Sequence, residues 1–341
     1  MPARHRPVAT LATVAAAAGV SRQTVSNALN SPELLRPDTL ARVQQTIDRL
    51  GYTPNRAARN LRTKASHLVG LRLDPAVEGT ASGLMDRFLH SLVESCKEAG
   101  LHVLLFTAED VNDPLDGYDA LLSSAAVDAF VVTDTYRGNP QAAWLEARQV
   151  PFVAFGRPWG EPQARHSWVD VDGRAGVMLA VDHLADRGHR RIAWVGWQRS
   201  STIGEDRRSG WVDRMHDREL ATSKLSARGE DTIEFGRRAA HALFETADPT
   251  AFVCVSDTVA MGVLQAIGDR GRRPGPHDVA VVGFDDSLAA QVVPPGLTSV
   301  RQPLEEVAVQ IVRLLEDRLA MRSALNPHVT LTPELRTRGT S

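Results

Sequence analysis

From Leu68 onward the chain keeps switching between two hydrophobic periods, and that alternation limits the folds open to it. Short apolar runs of strand length recur: LVGLRLD from Leu68, HVLLF from His102, AFVVTD from Ala129, FVAFG from Phe152, RIAWVGW from Arg191, AFVCVSD from Ala251 and VAVVGFDD from Val279. Between them the spacing predicts helices over Leu84–Ala99, Gly173–Arg187, Glu234–Phe244, Val259–Arg270 and Pro303–Ala320. Strands alternating with helices predict parallel sheets covered on both faces. About 275 residues are enough for two sheets of four to six strands. Several runs end in a carboxylate, at Asp74, Asp134, Asp257 and Asp285. Ligands of open α/β sheets bind beyond the carboxyl ends of strands, so these positions are binding candidates, each weighed against an ordinary helix cap.

The first sixty residues differ in kind. Thr10 can cap a helix from Leu11 to Ala18, Gly19-Val20 breaks it, and Ser21 can cap a second helix reaching Asn30. On that second helix Val25, Ala28 and Leu29 make an inward stripe, while Arg22, Gln23, Ser26, Asn27 and Asn30 make a polar outward face. Pro37 opens a third helix with Leu40, Val43, Ile47 and Leu50 inward, and Gly51 closes it. Two short helices joined by a glycine turn have helix-turn-helix geometry. Arg and Gln suit bidentate contacts to guanine and adenine edges. The segment Asn55–Arg62 is basic and too short to be helical alone, as expected of a stretch that folds on a partner. Leu61 within it is placed to wedge into a base step from the minor groove, or simply to pack on the headpiece.

Charge agrees with this division. Residues 1–65 hold ten Lys/Arg against three acids, net +7, and the remainder holds 29 against 38, net −9. A basic head on an acidic body points to a polyanion met by the head alone. The N-terminal MPARHRPVATLATVAAAAGV imitates a secretory signal. It is poor in leucine, however, and it continues directly into the helical pattern. No apolar run is long enough to span a membrane. Cys96 and Cys254 are the only cysteines, which fits a reducing cytoplasm and neither a disulfide framework nor a zinc site. Phosphate-loop, nucleophile-elbow, His-Glu-x-x-His and dinucleotide-binding signatures are absent. His183 and His189 are poorly spaced for a metal. The expectation is no catalytic constellation, no metal and no cofactor.

The runs VATLATVAAAAGVSRQTVSNALN, LGYTPNRAARNLR and SHLVGL closely resemble the lactose-repressor family of bacterial regulators. Later blocks match in order: FVAFGRP, WVDVDGRAGVMLAVDHLADRGHRRIAWVGW, DRRSGW, VSDTVAMGVLQAIGDRG, VAVVGFDD and LTSVRQP. The resemblance implies base reading by Arg22, Gln23 and Asn27, and phosphate contacts from Thr10, Ser21, Ser26, Thr39 and Asn55. It implies a minor-groove hinge with Arg56, Ala58 and Leu61. Thr13-Val14-Ala15 stands where many members carry an acidic residue, a departure that bears on helix capping. The resemblance also implies a fold like the periplasmic sugar-binding proteins, with two lobes joined by three crossings around an effector cleft. Arg207, three before Gly210, falls on the arginine that fixes the effector. Asp285 falls on a hydroxyl-accepting carboxylate, Ser256 where several sugar-responsive members have Asn, and Gln302 in the return crossover. Gly156-Arg157 replaces an acidic site of some members. Asp74, Trp168 and Trp197 complete the effector candidates, the tryptophans as stacking faces or as core.

The expected organisation is therefore a DNA-binding domain over 1–54, a hinge over 55–65 and an effector domain over 66–341. Its first lobe is placed at 66–166 plus 300–322 and its second at 167–299 plus 323–341. The expected protein is a cytoplasmic, dimeric, sugar-responsive transcriptional regulator, a repressor, binding a pseudo-palindromic operator. A sugar-transport protein should lack the basic headpiece. A sugar- or nucleotide-processing enzyme should show a phosphate loop or a clustered acid/base pair.

Overall fold

The computed structural model describes residues 9–52, 65–73, 83–110, 113–133, 135–321 and 326–341. The chain divides into two compact units, Met1–Ser66 and His67–Ser341.

In the first unit, helix α1 (Leu11–Ala18) is capped by Thr10, whose Oγ1 accepts from the Thr13 amide at 3.2 Å. Thr13 Oγ1 in turn accepts from the Thr10 amide at 2.7 Å. This is a capping box in which a threonine does the work usually given to glutamate, so the departure in this helix keeps both orphan donors satisfied. Gly19 ends α1 at φ 66°. Helix α2 (Arg22–Asn30) is capped by Ser21, which accepts from the Thr24 amide at 3.1 Å. A short 3-10 turn (Pro32–Leu34) leads to α3 (Pro37–Leu50). Val14, Ala15, Ala18, Val25, Ala28 and Val43 form the core. Leu50, expected on the inward stripe, is 39% exposed. Tyr52 is buried in its stead, because Gly51 at φ 61° reverses the chain and lets the Tyr52 amide bond Ile47 O at 3.1 Å.

The second unit holds two six-stranded sheets. The first orders its strands β11 (His328–Leu331), β5 (Trp168–Val171), β4 (Phe152–Phe155), β3 (Ala129–Val132), β1 (Leu68–Arg72), β2 (His102–Phe106), all parallel. The second runs β12 (Glu334–Arg336), β10 (Thr298–Arg301), β9 (Ala280–Phe284), β8 (Ala251–Cys254), β6 (Ile192–Trp197), β7 (Ser226–Gly229), antiparallel only between β10 and β12. Helices α4 (Gly83–Glu98), α5 (Tyr118–Ser123), α6 (Pro140–Ala147) and α12 (Leu304–Leu319) belong with the first sheet. Helices α7 (Gly173–Asp186), α8 (Thr202–Asp217), α9 (Ile233–Thr246), α10 (Asp257–Asp269) and α11 (Leu288–Val292) belong with the second.

The expected lobe boundaries need correction. Trp168–Val171 and His328–Leu331 pair in the first sheet, and Thr298–Arg301 pairs in the second. The chain therefore crosses between lobes at Asp172, at Gln302-Pro303 and at Thr332-Pro333. The physical reason is edge pairing: β11 extends β5 in register, Val329 opposite Val169, which claims both strands for the first lobe. Strand order reverses between β1 and β3 in one sheet and between β6 and β8 in the other, and these switch points are where a ligand crevice forms.

Candidate functional sites: an exposed helix face and an interlobe cleft

Helix α2 turns Val25 and Ala28 inward and leaves Arg22 and Gln23 exposed, with Ser26 and Asn27 half-buried. Gln23 Nε2 donates to Asn27 Oδ1 at 2.9 Å one turn on, so two of the expected reading side chains hold each other in place. Asn30 Nδ2 donates to Ser26 O at 2.6 Å. Thr10 and Ser21 act as helix caps and remain exposed, and Thr39 is half-buried in the first turn of α3. Asn55, Arg56, Ala58 and Leu61 lie outside the described residues, as do Asp74 and Asp134.

In the second unit, Gly210 decides where Arg207 goes. A Cβ on Gly210 would lie 2.4 Å from Arg174 O, so only glycine lets α8 pack this closely on α7. Trp211 then fills the second lobe's core, donating to Ile192 O at 3.2 Å, and Arg207, one turn earlier, reaches the strand ends. It is 5% exposed and donates through Nη1 to Val255 O at 2.7 Å. Its Cζ lies 3.7 Å from the Phe284 ring centroid and 5.3 Å from that of Trp197. Its Nη2 is 4.0 Å from Asp285 Oδ1, which itself accepts from Gln302 Nε2 at 2.8 Å. Burial pushes the Asp285 carboxyl up from its ordinary range, opposed by Arg207 and Gln302. Arg207 Nε and Trp197 Nε1 are buried without a protein partner. Buried donors of that kind call for a ligand or water.

Thus Arg207, Asp285, Gln302 and Trp197 come together beside the β6/β8 switch point. Ser256 caps α10 by accepting from the Val259 amide, and its hydroxyl donates to Asp231. Arg157 pairs with Asp170. Asp206 lies near Arg157, Asp170 and Asp172, and its carboxyl is raised by burial. Gly156 sits at φ 114°, where a Cβ would fall 2.1 Å from Thr135 Oγ1, so no acidic side chain fits that position. Trp168 stacks on His328 across the β5–β11 pair, centroids 4.8 Å apart at 15°. With Trp159 it lines a groove of about 350 Å³ at the edge of the first lobe. Asp257 is turned inward, accepting from the Ser287 amide at 2.7 Å and from Ser299 Oγ at 2.6 Å. It is a structural carboxylate, the ordinary reading that strand-end acids carry.

Sequence reasoning passed over Asp231, Asp170, Asp206 and the aromatic floor of Phe284. Asp231 follows β7, whose sequence Ser-Ala-Arg-Gly has no apolar run to announce a strand. It also passed over Arg87 on α4, whose Nη1 donates to Asp285 O at 3.1 Å from the other lobe. Among the described residues no cluster of three His, Cys, Asp or Glu is placed to hold a metal, and no helix is long and apolar enough to cross a membrane. Cys96 and Cys254 are buried free thiols. Burial pushes Cys96 up to about 12 and raises Cys254 as well.

A family profile described as bacterial regulatory proteins, lacI family, matches residues 10–55, and a periplasmic binding protein-like domain matches residues 181–341. The chain is 34% identical over 327 residues to the HTH-type transcriptional regulator CelR of Thermobifida fusca, across 94% of each chain. Among solved structures it resembles a regulatory protein of LacI family from Chloroflexus aggregans. That match has TM-score 0.76 and 34% identity, over 81% of this chain and 99% of that one. It also resembles a CelR–cellobiose complex, with TM-score 0.72 and 30% identity, over 98% and 100%.

Proposed function

The chain belongs to the lacI family of bacterial regulatory proteins, and from that premise we propose how this DNA-binding transcriptional regulator works. Residues 1–54 are its DNA-binding domain, with α2 in the major groove. Arg22, Gln23 and Asn27 read base edges, and Thr10, Ser21, Ser26, Thr39 and Asn55 hold the backbone. Residues 55–65 form the hinge, with Arg56, Ala58 and Leu61 in the minor groove. Residues 66–341 bind the effector, a sugar, and repression is the sign of control. Two copies pair on a pseudo-palindrome. Large apolar side chains left in solvent, among them Leu288 at 74% and Val292 at 69% exposure, support such pairing. We read the protein as a cytoplasmic binder that catalyses no reaction.

One observation carries the effector reading. A buried guanidinium stands near a half-buried carboxylate beside an indole, with Arg207 Nε and Trp197 Nε1 unpartnered. Charged donor, charged acceptor and aromatic face are the groups that grip a polyol. The similar CelR was solved with cellobiose, which makes a sugar the first ligand to try. Sugar binding shifts the lobes and so the affinity for DNA, a coupling of ~1–3 kcal/mol. The test is anisotropy binding to DNA flanking the protein's own gene, with and without a sugar panel. Saturable, salt-sensitive binding moved by one sugar is the expected result. Tight sugar binding with no specific DNA binding would overturn it.

A further inference from the structure

Asp285 and Asp286 follow one another at the end of β9, and both have positive φ, 105° and 50°. L residues seldom occupy that region and hold it only where the surroundings enforce it. Two such residues in succession send their carboxylates to different neighbours. Asp285 faces Gln302 and Arg207 in the cleft, and Asp286, 3% exposed, meets Arg338 of the segment after β12.

The enforcing contacts are specific. Arg338 Nη2 donates to Asp286 Oδ1 at 2.5 Å and Nη1 to Leu297 O at 2.7 Å. Its own backbone is fixed, the amide donating to Thr298 Oγ1 at 2.8 Å and the carbonyl accepting from that hydroxyl at 3.2 Å. Thr340 ties the same segment down, donating to Val281 O and accepting from the Thr298 amide. On the other side the Asp286 amide donates to Ser299 Oγ at 3.0 Å, and Ser299 donates to Asp257. Asp286 is buried, and its ion-pair partner is Arg338. Removing that partner leaves an uncompensated charge in the interior, and the nearest relief is for the kink to swing Asp286 toward water. That motion would take Asp285 away from Gln302.

We propose that Arg338 is a positioning residue of the effector site: by pinning Asp286 it fixes the kink that aims Asp285 into the cleft. The inference rests on the reading of that cleft as the effector site. The carbonyl of Asp285 also accepts from Arg87 of the first lobe, so the pinned kink is in contact with both lobes.

Two measurements on the full-length protein test this. The first is amide hydrogen exchange without ligand. Arg338→Gln should raise exchange in peptides covering residues 284–290 and leave the β6–β8 peptides unchanged, and Arg338→Lys should restore protection in part. The second is calorimetric titration with cellobiose and a sugar panel. Arg338→Gln should weaken binding about tenfold or more. The Arg338→Gln/Asp285→Asn double variant should bind no worse than Asp285→Asn alone, because both act through one carboxylate. Additive losses, or exchange at 284–290 that does not respond, would overturn the proposal. Should Arg338→Gln fail to fold, Asp286→Asn reports on the same contact without leaving a bare buried charge. A wild type that binds none of the sugars removes the sugar reading, and the exchange result still decides for or against the role of Arg338.

Discussion

Arg207 and Asp285 stand 4.0 Å apart at their nearest charged atoms, and each is bonded elsewhere, Arg207 to Val255 O and Asp285 to Gln302. That separation is too long for a hydrogen bond, so a ligand with adjacent hydroxyls has a donor and an acceptor both within reach. Hydrogen bonds to charged groups contribute about 1.5–3 kcal/mol. Arg207→Lys and Asp285→Asn should therefore each weaken sugar binding by roughly ten- to a hundredfold, read by calorimetry. Unchanged affinity in both would place the effector elsewhere.

The bond between Gln23 and Asn27 makes a second expectation concrete. Gln23→Ala and Asn27→Ala should each relax base preference at a defined operator position, costing about 1–3 kcal/mol of discrimination. The variants should also be coupled, since each frees the other's side chain. Competition binding against single-base operator variants measures this. A uniform loss on all sequences would mean these side chains meet phosphate rather than bases.

Gly156 and Gly100 separate two costs that are usually mixed. Both have positive φ, 114° and 71°, but a Cβ meets Thr135 Oγ1 at 2.1 Å in the first case and nothing within 4 Å in the second. Gly100→Ala should show backbone strain alone. Gly156→Ala should add overpacking, about 1–3 kcal/mol more, and so the larger fall in melting temperature. Equal falls would remove the steric explanation for glycine at 156.

Two groups of side chains pull stability in opposite directions with pH. Burial holds His183 and His166 down to about 4 from an ordinary 6.5. Arg187 donates to His183 Nδ1, and Nε2 bonds Ser341 Oγ, a pattern only the neutral ring satisfies. Below pH 6.5 the unfolded chain takes up protons that the folded chain refuses. Their contribution is thus complete above 6.5 and lost as pH falls toward 4. Asp257 is pushed up to about 7, chiefly by burial and then by the Asp285 charge. The folded chain keeps its proton from about 4 to 7, so the contribution is present at low pH and lost as pH rises through 7. Thermal melts from pH 4.5 to 8.5 should show His183→Gln losing part of the rise in stability between about pH 4 and 6.5, and Asp257→Asn losing the opposing fall between about pH 4 and 7. The same slopes in both variants as in wild type would contradict these assignments.

How much of this was legible depends on what each residue had to signal. The headpiece helices were, because caps and glycine stops are local: Thr10, Ser21 and Gly51 fall where their chemistry requires. The exchange of Leu50 for Tyr52 was not, since it depends on where the chain goes after Gly51. Strands β6, β8 and β9 announce themselves by apolar runs and deliver Trp197, Ser256 and Asp285 to their ends. Strand β7 does not, so Asp231 stayed hidden. Trp168 looked like a stacking face and does stack, but on His328, a partner 160 positions away that no local pattern reveals. The role of Arg338 likewise depends on a tail folding back on β10.

Gln302 is at once the residue that holds the Asp285 carboxylate and one of the links by which the chain passes from one lobe to the other. Three such links, anchored at separate points, leave the lobes little freedom to slide or shear and mainly a rotation about a shared axis. On the proposed reading of the cleft, a ligand that pulls on Asp285 would apply a torque at the axle itself. Sensing and motion would then need no wire between them, because they would share an amino acid.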